Sequence, residues 1–141
     1  MQGGYFVTRE DPYLWHRVRV GAIPVADDVL DSGVDVLSLD DVAKRLDCPL
    51  TRVQQALRDG QLLAVRRGGE LFIPADMLDD EGNVVKGLSG TITVLADAGY
   101  TPTDTLSWLF TADDTLPGTP IEALRGNRGR EVKRRAQASA F

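Results

Sequence analysis

The 141-residue sequence is 43% hydrophobic and 26% charged, with a formal net charge of −5, a balance that allows one compact domain or a small domain with a helical extension. No apolar run approaches the roughly 18–20 residues needed to cross a bilayer. The start Met1-Gln2-Gly3-Gly4-Tyr5 lacks the basic and apolar regions of a secretory signal, so a cytoplasmic protein with no membrane partner is expected. A single cysteine, Cys48, and a single histidine, His16, exclude an internal disulfide and leave too few ligands for a Cys/His zinc site.

The net charge conceals a polarised chain. Residues 38–73 carry six basic against five acidic residues, and 121–141 carry six against two. Between them, residues 74–120 hold eight acids against the single basic residue Lys86. Acid is thus concentrated between two basic regions.

Residues 1–37 show no sustained period and are interrupted by Gly3-Gly4, Pro12, Gly21, Pro24 and Gly33. Residues 1–20 read as an N-terminal tail, open to disorder at its start. Its Tyr5, Phe6, Tyr13, Leu14 and Trp15 suit docking on the protein's own surface better than a partner-binding segment. Ile23, Val25, Val29 and Leu30 are expected to pack on the domain that follows.

Ser38, with Asp41 three residues on, is a capping-box-like helix start. Leu39, Val42, Ala43 and Leu46 then form one apolar stripe at helical spacing. Pro49 disfavours a helical Cys48 and so ends this helix near Asp47. A second helix is expected from Leu50 to Asp59, stopped by Gly60. It would turn Leu50, Val53, Ala56 and Leu57 inward and Thr51, Gln55 and Arg58 outward, with Arg52 and Gln54 on the flanks. Two short helices joined by a tight turn make a helix-turn-helix, whose second helix can enter a DNA major groove.

Two apolar runs, Leu62–Arg67 and Glu70–Pro74, flank Gly68-Gly69 and predict a β-hairpin with a two-residue turn: a wing. The remainder reads as helical. A short turn at 76–78 and a polar loop at 79–83 lead to a helix over Gly90–Ala98, then one over Thr103–Phe110 capped by Thr103. Thr115–Pro120 reads as a linker. A short helix follows from Pro120 to Leu124, and a basic helix runs from Asn127 or Gly129 to about Ala138. The fold class is mainly α with a small β-hairpin wing: a winged helix-turn-helix at 21–78 followed by a helical C-terminal domain at 79–141.

The run Leu39–Leu46 with Ala43, the step Gly60-Gln61-Leu62 and the close Ile73-Pro74-Ala75-Asp76-Met77-Leu78 resemble the MerR and excisionase class of winged helix-turn-helix. Pro49 departs from that class, which commonly caps its second helix with Ser or Thr. Over roughly residues 18–141 the chain is similar to an actinobacterial family of small DNA-binding proteins that join such a head to a helical C-terminal domain. That likeness rests on Gly21–Pro24 with Asp27–Asp31, Ala64–Arg67, Trp108–Thr111 and Arg130–Ala138. It implies double-stranded DNA as partner, no catalysis and no cofactor. Members of the winged class generally act as dimers, although no heptad run here announces a coiled coil. A second likeness, to the toxin-binding domain of Xre-type antitoxins, rests on Trp108-Leu109, Thr111, Leu116, Gly118 and Pro120–Leu124. It implies a protein partner for the C-terminal half, as in an antitoxin-like or adaptor protein.

On the DNA reading, Thr51, Arg52, Gln54 and Gln55 face base edges, where Arg matches guanine and Gln matches adenine by two-point hydrogen bonding. Lys44, Arg45 and Arg58 would hold phosphates, and Arg66 and Arg67 backbone or minor groove. Arg128, Arg130, Lys133, Arg134 and Arg135 would either add phosphate contacts or stay solvated while Val132, Ala136 and Ala138 pack. A phosphate on Thr8 would add negative charge and repel DNA. No catalytic constellation, phosphate loop or dinucleotide fingerprint is present, and Asp27-Asp28, Asp79-Asp80-Glu81 and Asp113-Asp114 lack calcium-loop spacing, so they read as solvated turns. The apolar residues from Leu88 to Phe110 read as core in preference to a dimer face, and Cys48 as a small, partly buried residue.

Overall fold

The structure, a computed structural model, describes residues 23–116 and 118–139. The expected N-terminal tail, with its aromatic residues and Thr8, lies outside the described residues.

Ser38 starts helix α1 (Leu39–Leu46): its backbone is extended and its hydroxyl accepts from the Asp41 N–H at 3.1 Å. Asp40 and Asp41 fill the first turn and Lys44 and Arg45 the last, each where the helix dipole favours its charge. Asp47 closes the helix in the left-handed conformation, φ 55°. Pro49, extended at φ −66° and ψ 154°, then precedes helix α2 (Leu50–Arg58) without any side-chain cap. This is the geometry that a Ser or Thr at that position would improve. Val42, Ala43, Val53 and Leu57 are buried where α1 and α2 meet. Leu50, expected to point inward, is 38% exposed at the first position of α2.

Strands β3 (Ala64–Arg67) and β4 (Glu70–Pro74) form the expected hairpin, with Arg67 opposite Glu70. Gly68 and Gly69 both have positive φ, 57° and 84°, as a type I′ turn requires and as side chains resist. The sheet is larger than a hairpin. Residues 25–26 form β1 (Val25–Ala26), parallel to β3, and residues 36–38 form β2 (Val36–Ser38), antiparallel to β4, giving the order β1-β3-β4-β2. The segment read as patternless therefore supplies both outer strands. They are too short to show a period, and their partners lie 34 to 39 residues away along the chain. Ile23 and Leu30 pack against the core as expected, whereas Val29 is 47% exposed.

A 3₁₀ turn (Ala75–Met77) leads into a compact loop in which Asp79 Oδ1 accepts from the N–H groups of Glu81 and Asn83, each at 2.9 Å. Gly82, at φ 81°, sits so close to α1 that a Cβ there would lie 2.6 Å from the Arg45 carbonyl oxygen. Helix α3 (Leu88–Asp97) begins two residues earlier than expected, at a left-handed Gly87 whose carbonyl accepts from the Thr91 hydroxyl. Helix α4 (Pro102–Leu109) is capped by Thr101, not Thr103: Thr101 and Asp104 make a reciprocal capping box, and Pro102 takes the first helical position. The stretch expected to be a linker is instead a folded turn. Asp113 Oδ1 binds the Thr115 N–H and hydroxyl, and Leu116 is buried. A second capping box, Thr119 with Glu122, starts α5 (Pro120–Arg125), and α6 (Gly129–Ser139) follows.

Helix α1 packs on β2 and β4, α4 packs on β1, and α3 packs on α6 and α4. One cluster of buried side chains runs from Ala26, Val42 and Leu57 through Ile73 and Leu88 to Leu109, Ile121 and Val132. It crosses from the winged half into the helical half without a break. A polar clasp reinforces the crossing: the Arg125 guanidinium donates to the carbonyls of Asp76 (3.1 Å) and Leu78 and lies 3.4 Å from Asp80. Arg125→Ala removes three partners at once. It is expected to cost about 1–2 kcal/mol, read as a shifted urea midpoint at unchanged slope.

Candidate nucleic-acid interface

Helix α2 presents two unlike faces. Val53 and Leu57 are fully buried on one. On the other, Thr51, Arg52 and Gln55 are exposed, and Gln54 on the flank is half-buried. This division follows from the 3.6-residue period, which puts 51, 55 and 58 opposite 53 and 57. Gln55 is partly engaged, since its Nε2 donates to Asp59 Oδ1 at 2.9 Å one turn on. The side chains of Thr51 and Arg52 have no hydrogen-bonded or ion-paired partner among the described residues.

Arg58 departs from this pattern. It is half-buried, its Nε is shielded from water without a hydrogen-bond partner, and it lines a small cavity with Asp59, Gly60, Ile92, Thr93, Ala96 and Asp97. The end of α2 and one side of α3 thus line the same small cavity, and Arg58 is less open to solvent than Thr51, Arg52 or Gln55. Lys44 and Arg45, in the last turn of α1, are exposed and have no ion-pair partner among the described residues. Lys44 borders a hollow with Asp40, Ala43, Asp47, Cys48, Pro49 and Leu50. Arg45 borders another with Asp76, Asp79, Asp80, Glu81 and Arg125, so acid surrounds it.

The two wing arginines differ sharply. Arg66, opposite Leu71, is exposed and unpaired among the described residues. Arg67 donates from Nε and Nη2 to the Asp28 carboxylate at 2.6 and 3.3 Å. The Arg67 guanidinium holds the Asp28 carboxyl below the usual aspartate range, opposed by partial burial and helped by the Leu30 N–H. Arg67 is raised in turn by the same hydrogen bond. Sequence reasoning did not find Asp28 as a partner of the wing. The pair spans 39 residues, and only the β1–β3 pairing brings it together.

At the C-terminus, Val132 and Ala136 are buried, while Ala138, expected beside them, is exposed. Arg128 pairs with Glu131 at 3.1 Å, and Arg135 lies 3.8 Å from Asp113. The Asp113 carboxyl is lowered chiefly by its hydrogen bonds from Thr115, with Arg135 contributing less. Arg130, Lys133 and Arg134 are exposed on the opposite face with no partner among the described residues. No group of three or more His, Cys, Asp or Glu among the described residues is placed to hold a metal ion, and no helix among them is long and apolar enough to cross a membrane.

A helix-turn-helix with a glycine-tipped hairpin after its second helix, backed by a bundle of four further helices, defines a winged helix-turn-helix protein with a helical C-terminal domain. Comparison with known proteins makes this specific. Residues 22–78 match the family model "DNA-binding protein Rv2175c, wHTH domain", and residues 85–140 match the "Rv2175c C-terminal domain of unknown function". The chain is 44% identical over 135 residues to the DNA-binding protein Rv2175c of Mycobacterium tuberculosis, covering 87% of this chain and 92% of that one. The solved NMR structure of Rv2175c superposes with a TM-score of 0.78 at 43% identity and the same coverage. The chain belongs to the Rv2175c family.

The lowered Asp28 carboxyl sets a pH window for the wing contact. A group lowered on folding stabilises its contact above its unfolded value and loses that contribution as pH falls through the folded one. The Arg67 Nε–H signal should therefore stay protected from solvent exchange through the ordinary aspartate range and lose protection only in stronger acid. Loss of protection within the ordinary range would show that the pair does not persist in solution.

Proposed function

We propose that this protein binds double-stranded DNA, with α2 in the major groove and the wing on the backbone or minor groove, and that it acts as a transcriptional regulator or nucleoid-associated factor in the cytoplasm. The observation that carries the reading is the outward face of α2. Thr51 and Arg52 stand exposed there with no side-chain partner among the described residues, beside a half-engaged Gln55, on a helix whose other face is locked into the core. Side chains so placed can reach base edges, while the buried face fixes their register. The M. tuberculosis relative is described as a DNA-binding protein, which supports the same reading. Lys44 and Arg66 are the phosphate-contacting residues proposed for the head, with Arg45 beside its acidic neighbours and Arg67 once it leaves Asp28. Arg58 supports the fold of the head more than its contacts. Gln54 and Gln55 read adenine where the groove offers it.

Helix α6 is proposed as a second phosphate-binding surface through Arg130, Lys133 and Arg134, whose side of the helix is free. Arg128 and Arg135 belong to it less, because each already faces a carboxylate. Thr8 is kept as a proposed phosphorylation site whose added charge would weaken binding. A homodimer, and a protein partner for the helical half, remain separate proposals. Sedimentation of the free protein would show the first directly.

Selection of bound duplexes from a random pool should enrich a motif, and anisotropy titrations of that duplex across salt should then sort the residues. Arg66→Ala is expected to weaken binding to all sequences and flatten the slope of log K against log salt by about 0.9. Arg52→Ala is expected to relax the motif at one position, at a cost of about 1–3 kcal/mol of discrimination. A wild-type affinity no better than roughly 10⁻⁴–10⁻⁶ M, with no enriched motif, would overturn sequence-specific binding. The triple variant Arg130→Ala, Lys133→Ala, Arg134→Ala should flatten the slope further. An unchanged slope in a folded protein would remove α6 from the interface.

A further inference from the structure

The Asp28 carboxylate meets Arg67 with the two-point geometry that a DNA phosphate would otherwise receive from an arginine. Its position is built from two sides. Strand β1 runs parallel to β3 with Val25 level with Ala64 and Ala26 level with Val65, and continuing that register brings Asp28 level with Arg67. The turn after β1 is pinned where the Asp27 N–H donates to Thr103 Oγ1 in the first turn of α4, at 2.9 Å, and where the Leu30 N–H donates to Asp28 Oδ1 at 3.3 Å. Both side chains remain partly open to water, at 28% and 29% exposure, so an incoming phosphate can reach the guanidinium. Neighbouring Arg66 carries no such partner among the described residues.

We propose that Asp28 is an internal competitor of DNA for the wing: it occupies the Arg67 guanidinium in place of a phosphate, leaving the resting wing with Arg66 as its working cation. The inference rests on the reading of this head as DNA-binding. An arginine neutralised by a fixed carboxylate displaces no counterion from DNA and adds nothing to the salt dependence of binding. The carboxylate beside it also repels the phosphates that approach. Pairs this exposed hold weakly, so the latch sets how much the wing contributes without closing it permanently. Because the turn that carries Asp28 is tied to Thr103, the helical half of the molecule holds the latch in place.

The test is a thermodynamic cycle on a fluorescein-labelled duplex, titrated across salt with wild type, Asp28→Asn, Arg67→Ala and the two combined. Asparagine keeps the size of the side chain and an acceptor for the Leu30 amide while removing the charge. Asp28→Asn is expected to bind more tightly than wild type, with a slope steeper by about 0.9. Arg67→Ala, which leaves the Asp28 charge uncompensated, is expected to bind somewhat more weakly than wild type at a nearly unchanged slope, and the combined variant, neutral there like the wild-type pair, to match wild type. Tighter binding that persists in the combined variant would be a general charge effect and would overturn the latch. So would equal or weaker binding by Asp28→Asn, or a large loss from Arg67→Ala alone. If none of the four binds the duplex, the DNA-binding reading falls as well, whereas binding by wild type without a gain in Asp28→Asn sinks the latch alone. Thermal melting checks each fold, and Asp28→Ser repeats the test if the Asn variant melts early.

Discussion

Ala64 and Val65, neighbours in β3, are withdrawn almost completely from solvent, as are Leu62 and Leu63 just before them. An extended chain alternates its side chains between two faces, so burial of neighbours requires cover on both. Its backbone groups also need partners on both edges. Strand β4 satisfies one edge and β1 the other, which draws the N-terminal segment into the sheet. Each buried leucine contributes roughly 1.5–3 kcal/mol, and a two-strand hairpin alone could not shield them. Strand β1 is thus as much a part of this sheet as the hairpin. The unbroken core from Ala26 to Val132 is the result.

The parts of the fold legible in the sequence are those fixed by local chemistry. Ser38 with Asp41, the halt at Pro49, and Gly68-Gly69 each determine backbone geometry within a few residues, and the structure has α1, α2 and the hairpin there. The start of α4 is written in Pro102 as well: proline favours the first helical position, which makes the preceding Thr101 the cap. Strands β1 and β2 were not legible, because two or three residues cannot show a period. Thr115–Pro120 has the composition of a linker, yet the Asp113–Thr115 hydrogen bonds and buried Leu116 make it part of the body. On α2, the helical period expected Thr51 and Gln55 to face outward with Arg52 on the flank, and all three are exposed. It could not reveal that Arg58 is half-buried or that Arg67 has a partner in a distant turn.

The surplus of acid between the two basic regions takes on a different meaning in three dimensions. Asp104 belongs to a capping box, and Asp79 and Asp113 satisfy N–H groups of their own turns. Asp80 lies beside Arg125. Much of that charge stabilises chain reversals and helix starts that a chain with many short elements needs. A low isoelectric point is therefore compatible with a local cationic surface, since the two arise from different structural demands.

The wing tip and the loop at Gly82 are held to glycine for unlike reasons. A side chain at Gly82 would strike the end of α1, whereas nothing lies within 4 Å of where a Cβ would sit on Gly68 or Gly69. At the wing the restriction is on torsion angles alone, and asparagine or aspartate, which tolerate positive φ, meet it at modest cost. The tip can therefore lengthen or change residue over evolutionary time while the sheet beneath keeps its register. It also offers the natural position for attaching a spectroscopic reporter beside the arginines without disturbing the core.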